Sequence, residues 1–191
     1  MNSKKEQLLS AAIKTFACTG YAASTVPEIA KLAHVSIGTL YHYFDSKQDL
    51  LNEALQLILK HVNDNLASII HSDRETEVLF NDLLGFGFQF IQEDITTIHF
   101  LYENIYNDKL YQPSITLREQ TVDLLNEFFK NGEKQNVFKT SDIHAQLAIS
   151  VGSLFMMCNF YWISQNFSSD NAPNQQSLED LKTQIWHGLT I

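Results

Sequence analysis

The chain of 191 residues holds only seven glycines and three prolines. So few breakers exclude a many-turned β protein, and the long unbroken runs favour an all-α fold. Its two cysteines, Cys18 and Cys158, stand far apart without metal-ligand spacing, which excludes a disulfide framework and a zinc site. None of the seven histidines forms a pair four residues apart, so a helical metal clamp is missing and neither metal nor cofactor is expected. Residues Met1 to Gln7 are polar and charged, without the apolar core of a signal peptide. The richest apolar stretch, Val151 to Ile163, is interrupted by Ser153 and Asn159 and is shorter than the roughly 18 residues of a membrane span. The expected setting is a reducing cytoplasm, away from membranes. Catalytic residues are also scarce. His99 and Glu103 lie one turn apart with no nucleophile spaced to join them, so the chain is not expected to be an enzyme. Gly85-Phe86-Gly87 lacks the preceding strand and nearby basic charge of a nucleotide loop.

Positive charge is scarce too, with a formal net charge of −9. It is unevenly spread. Residues 1–50 carry five lysines against four acids, a net +1, and the rest carries eight basic residues against eighteen acids, a net −10. A polyanion is therefore steered to the amino-terminal part, and binding there depends on a specific footprint more than on diffuse attraction.

What is present in that part is a run of three short helical patterns. Leu8, Leu9, Ala12, Ile13 and Phe16 recur at three- and four-residue spacing and mark an amphipathic helix ending at Gly20. Thr25-Val26-Pro27-Glu28 is a capping-box pattern with proline in the first turn, opening a second helix through Ile29, Ala30, Leu32 and Ala33. His34-Val35-Ser36 forms the turn, with Val35 pointing inward and Ser36 suited to cap a third helix from Ile37 to Phe44. Leu40 and Phe44 share that helix's core face, Gly38 and His42 lie opposite, and Thr39, Tyr41 and Tyr43 flank them. A face of hydroxyl and imidazole tips around a glycine suits a DNA major groove, although the same residues also describe an ordinary solvated surface. Ser46 caps a fourth helix, and Lys47 in its first turn is placed to attract a phosphate. Two helices joined by a short turn, the second with a polar face, make a helix-turn-helix.

The run from Leu8 to Leu51 resembles the DNA-binding domain of TetR-type repressors. The marks are the AA…F…GY helix ending, the T-V-x-E-I-A helix, V-S-x-G-T-L-Y-x-Y-F and the following S-K-x-x-L. The resemblance covers about a quarter of the chain. It implies nine or ten helices, a dimer, and repression usually relieved by a small ligand. By matching position it makes Thr25, Ser36, Gly38, Thr39, Tyr41, His42, Tyr43 and Lys47 the DNA-contact candidates. Two departures stand out. Ile37 occupies a place where the family often has lysine, removing a phosphate or guanine contact and offering instead an apolar contact to a thymine methyl. His34 replaces a common glycine in the turn.

Residues 1–46 are thus expected to form the DNA-binding domain and residues 47–191 a helical ligand-binding and dimerisation domain. Further helices are predicted over 47 to about 68, 74–92, 96–106, 113–134, 142–165 and 178–189, with the polar stretch Ser168 to Ser177, including Pro173, as a break. Ala145, Ala148, Gly152 and Phe155 on one late helix and Leu181, Ile185, Trp186 and Leu189 on the other offer faces that either close the chain's own core or, as the resemblance implies, pair with a second copy. Of 22 aromatic residues, 16 fall between Phe80 and Phe167, which points to an apolar cavity or simply to core filling. Phe86, Phe90, Tyr102, Tyr106, Phe128 and Phe160, with Glu103 as a polar anchor for a cation among rings, are the candidate effector-binding residues. The whole reads as a homodimeric repressor released from a palindromic operator by a lipophilic or aromatic effector. The rivals are an activator or ligand-independent regulator of the same fold, and a small-molecule sequestering protein with a vestigial DNA head.

Overall fold

A computed structural model describes residues 3–167 and 174–191, so residues 168–173 of the expected Ser168–Ser177 break lie outside it. The described residues are helical: α1 Lys4–Thr19, α2 Val26–Leu32, α3 Ile37–Tyr43, α4 Lys47–Ile70, α5 Thr76–Glu93, α6 Ile95–Asn104, α7 Gln112–Lys134, α8 Ile143–Leu147, α9 Ser153–Phe167 and α10 Gln175–Leu189. The only β pairing among them is an isolated antiparallel bridge between Phe138 and Thr190. The expected all-α class is met, and the helix limits fall within a few residues of those read from periodicity. One predicted helix differs. The stretch expected to run unbroken over 142–165 contains a π-turn, Ala148–Gly152, between α8 and α9. There the Ser150 hydroxyl donates to the Gln146 carbonyl at 2.7 Å, and such back-bonding favours a local change of helical pitch.

Packing groups the chain into two compact units whose limits are not those of the expected domains. The first holds the described residues up to Val62 together with Thr96–Glu119, and the second holds Asn63–Ile95 with the described residues from Gln120 onward. In the first unit Leu8, Phe16, Ile29, Leu40, Phe44, Leu51 and Leu55 are fully buried, each contributing about 1.5–3 kcal/mol of burial free energy. Phe100 of α6 joins them, its ring stacked on Phe16 at 6.1 Å. The amino-terminal helices therefore do not close their core alone. Asn52 of α4 holds the α6–α7 connection to the same unit. It donates to the Lys109 carbonyl at 3.0 Å and accepts from the Tyr111 amide and the Ser114 hydroxyl, both at 2.7 Å.

The second unit is built on aromatic rings. Phe138 packs against Phe128 at 5.3 Å, Phe129 at 5.6 Å and Trp186 at 5.9 Å, and Phe80 lies 4.8 Å from Trp186. Gly132 makes this possible, because a Cβ there would overlap the Phe138 ring. Buried Cys158 has its thiol pushed up to about 12 by desolvation, so it behaves as a small apolar core group.

Candidate nucleic-acid interface

The helix-turn-helix is set by local caps. The Thr25 hydroxyl accepts the Glu28 amide at 3.4 Å while Glu28 accepts the Thr25 amide at 2.9 Å, with Pro27 in the first turn of α2. The helix ends with the His34 amide on the Lys31 carbonyl at 3.1 Å and the Val35 amide on the Ala30 carbonyl at 3.0 Å, the paired bonds that close a helix over a left-handed residue. That residue is His34, at φ 56°. The departure from glycine thus keeps the turn but strains it by about 1–2 kcal/mol. Ser36 then caps α3, accepting the Thr39 amide at 3.0 Å.

Caps and core together orient α3. Leu40 and Phe44 are buried against the first unit, while Ile37, Tyr41 and Tyr43 remain 45%, 51% and 37% exposed. Gly38 and His42 are exposed between them, and Thr39 is half-buried. The His42 and Tyr43 rings meet edge-on at 5.2 Å. A Cβ at Gly38 would meet only the Ser36 hydroxyl, at 3.8 Å, so internal packing does not require glycine there. Its smallness leaves room for an outside surface to approach the backbone. The helix carries no acidic residue. Phenol, imidazole and hydroxyl tips beside the isoleucine can meet both hydrogen-bonding base edges and a thymine methyl.

Lys47 is placed differently from its expected role. Its ammonium donates to the carbonyls of Tyr21 at 2.7 Å and Ser24 at 2.9 Å, and sits 4.4 Å from the centre of the Tyr21 ring. The Ser46 hydroxyl caps α4 through the Asp49 amide at 3.0 Å, as expected. Burial raises the Tyr21 phenol above its ordinary value, and the Lys109 charge pulls the other way.

The seven candidate effector-binding residues divide between the two units. In the first, Tyr106 is 76% exposed beneath the Arg118 guanidinium, 5.0 Å from its ring centre. Glu103 lines an open cleft of about 570 Å³ with Tyr21, Lys47, Asn107 and Asp108, to which Tyr21 contributes an aromatic ring, and Tyr102 is exposed. In the second, Phe86 and Phe90 lie 5.9 Å apart on α5, Phe128 fills the cluster around Phe138, and Phe160 faces outward.

The two late helices differ from each other. Ile185 and Leu189 of α10 are buried within their own unit, and the Trp186 ring meets Phe80 at a tilt and Phe138 edge-on, so that face packs against its own chain. The α8–α9 stretch does the opposite. Ala145, Ala148, Ile149, Gly152, Met156, Phe160 and Ile163 form an exposed stripe along it. Counted as one helix, Ile143–Asn166 is 24 residues and is long and apolar enough to cross a membrane by length and composition, which the run 151–163 alone did not reveal.

With this geometry in view, the class is that of a helix-turn-helix protein, and comparison with known proteins agrees. Residues 8–54 match the family model of bacterial regulatory proteins, tetR family. An uncharacterized HTH-type transcriptional regulator of Bacillus subtilis, YhgD, is 42% identical over 57 residues, covering 30% of this chain and 30% of that protein. The HTH-type transcriptional repressor KstR2 of Rhodococcus jostii is 27% identical over 155 residues, covering 77% of this chain and 73% of that protein. Among solved structures, the ketosteroid transcriptional regulator KstR2 of Mycobacterium tuberculosis superposes with a TM-score of 0.73 at 20% identity, over 100% of this chain and 97% of that one. The fatty acid degradation regulator FadR of Bacillus halodurans gives 0.74 at 21% identity, over 98% and 97%. The amino-terminal part of the chain, residues 8–54, is thus similar to the helix-turn-helix part of tetR-family regulators, and the chain as a whole shares their fold.

Proposed function

We propose that this protein is a homodimeric, sequence-specific DNA-binding transcriptional repressor that lays α3 of each copy in a major groove of its operator. The observation that carries this reading is the solvent-facing row Ile37, Gly38, Tyr41, His42 and Tyr43 on a helix whose other side is buried. Tyr41, His42 and Ile37 meet base edges, while Thr25, Ser36, Thr39 and Tyr43 approach the backbone and Gly38 allows the close fit. Residues 1–46 form the reading head, and the acidic remainder carries dimerisation and response. A relative named as a repressor that matches across three quarters of the chain supports repression over activation.

The dimer forms along the α8–α9 stripe. A second copy suits that stripe because Ala145, Ala148 and Gly152 let an identical helix approach closely while Met156 and Phe160 fill the space between. Two-fold pairing sets the reading helices about 34–36 Å apart on a palindromic site. A lipophilic or aromatic effector bound to the acidic remainder weakens operator binding, and operator weakens effector binding by the same factor. The protein acts in the cytoplasm, where its DNA is.

Selection of bound duplexes from a random pool, followed by anisotropy titration, tests the reading. A palindromic consensus bound by two protomers is expected, and indifference to every duplex at low salt contradicts it. Native mass spectrometry of the freshly purified protein is expected to show a dimer mass and a retained small molecule.

A further inference from the structure

The α1–α2 connection, Gly20 to Thr25, is short and makes little helical hydrogen bonding of its own. Within it the Ser24 amide reaches the Gly20 carbonyl at 3.2 Å, and the buried Ser24 hydroxyl donates to the Tyr21 carbonyl at 2.8 Å. The carbonyls of Tyr21 and Ser24 point at one place, and the Lys47 ammonium occupies it at 2.7 and 2.9 Å, half-buried against the Tyr21 ring. Two of the three ammonium protons are therefore used by backbone oxygens, and the ring face covers another side of the charge. None of the ion pairs among the described residues involves Lys47. Tyr21 is itself held, its ring 5.5 Å from buried Phe16. The residue after Ser24 is Thr25, the cap that starts α2.

We infer that Lys47 is a positioning residue for DNA reading, and not a phosphate ligand: from the first turn of α4 it pins the Tyr21–Ser24 loop and so fixes where α2, and with it α3, begins. The inference deepens the DNA-binding reading and rests on it for its consequence, but the pin itself belongs to the free protein. The two roles differ in what salt does. Losing a phosphate contact in each half of a dimer makes the slope of log affinity against log salt shallower by about 1.8, whereas losing a pin lowers affinity and leaves the slope alone.

The test uses the full chain with Lys47→Met, Lys47→Gln and Lys47→Arg. In the protein without DNA, Lys47→Met is expected to speed hydrogen exchange at the amides of residues 22–26 by about tenfold, the scale of losing hydrogen bonds from a charged donor. Lys47→Gln, which keeps one shorter donor, falls between. With a duplex selected from the random pool, Lys47→Met weakens binding by about tenfold at an unchanged salt slope. Lys47→Arg, able to bridge both carbonyls and stack on Tyr21, restores loop protection and affinity together. Unchanged exchange in Lys47→Met, or a slope shallower by about 1.8, overturns the inference. If no duplex binds even the unaltered protein, the DNA-binding reading fails, while the exchange measurement still decides the pin.

Discussion

Two surfaces of this protein leave bulky side chains in solvent, and they differ in kind. The face of α3 is short and mixed: two phenols, an imidazole, a glycine and one isoleucine. The α8–α9 stripe is long and made of alanine, isoleucine, glycine, methionine and phenylalanine. A mixed face retains water until a partner supplies matched donors and acceptors, so it favours a partner with a defined polar pattern. A purely apolar stripe gains simply by being covered, and small residues at its centre favour another helix. The two surfaces thus suit different partners, and the proposed function assigns the first to reading and the second to pairing.

The largest expected effect breaks the pairing side. Met156→Glu sets a carboxylate on the stripe, once in each copy. Self-association should weaken by about 3 kcal/mol or more in sedimentation analysis. Because Met156 is 50% exposed in the protomer, the circular dichroism spectrum should be retained. Dimers that survive this change would place the seam elsewhere. On the reading side, Tyr41→Ala should cost about 1–3 kcal/mol of operator affinity and relax sequence preference in a repeated selection, with self-association intact. The isoleucine allows a finer comparison. Replacing operator thymines one at a time by deoxyuridine removes a methyl, worth about 0.8 kcal/mol if buried. That sensitivity should appear at one position per half-site and vanish in Ile37→Ala.

Smaller effects concern the scaffold under the reading face. Burial lowers the pKa of His99 from its ordinary 6.5, and nearby Glu103 acts in the opposite direction. A histidine held neutral in the folded state contributes stability present above 6.5 and lost as pH falls through its lowered folded value. Urea unfolding between pH 7.5 and pH 5 should therefore show stability decreasing on acidification, and His99→Leu should flatten that dependence. The smallest change is a gain. His34→Gly relieves the left-handed strain at φ 56° and should raise stability by about 0.5–1 kcal/mol in the same assay.

Local chemistry was readable in the sequence, and distant partnership was not. The Thr25–Glu28 box, the Ser36 cap and the inward pair Leu40 and Phe44 depend on residues three or four apart, so spacing alone reveals them. Lys47 also looked legible, as a cation at a helix start. Its carbonyl partners lie 23 and 26 residues earlier, and no periodicity connects them. Phe100 looked like part of a later aromatic cavity yet fills the core beneath Phe16. Ile185 and Leu189 had the spacing of an apolar helix face, but which neighbour covers such a face is a tertiary choice that the pattern does not encode. The π-turn at Ala148–Gly152 likewise left no mark in a reading based on a period of 3.6.

The most direct measurement is methylation protection of guanine N7, a major-groove atom, on a selected operator with and without the protein. Two protected patches centred about 10–10.5 base pairs apart, both lost with Tyr41→Ala, are the expected result. A single patch, or protection that Tyr41→Ala leaves intact, would contradict the claim that two copies of α3 read successive major grooves.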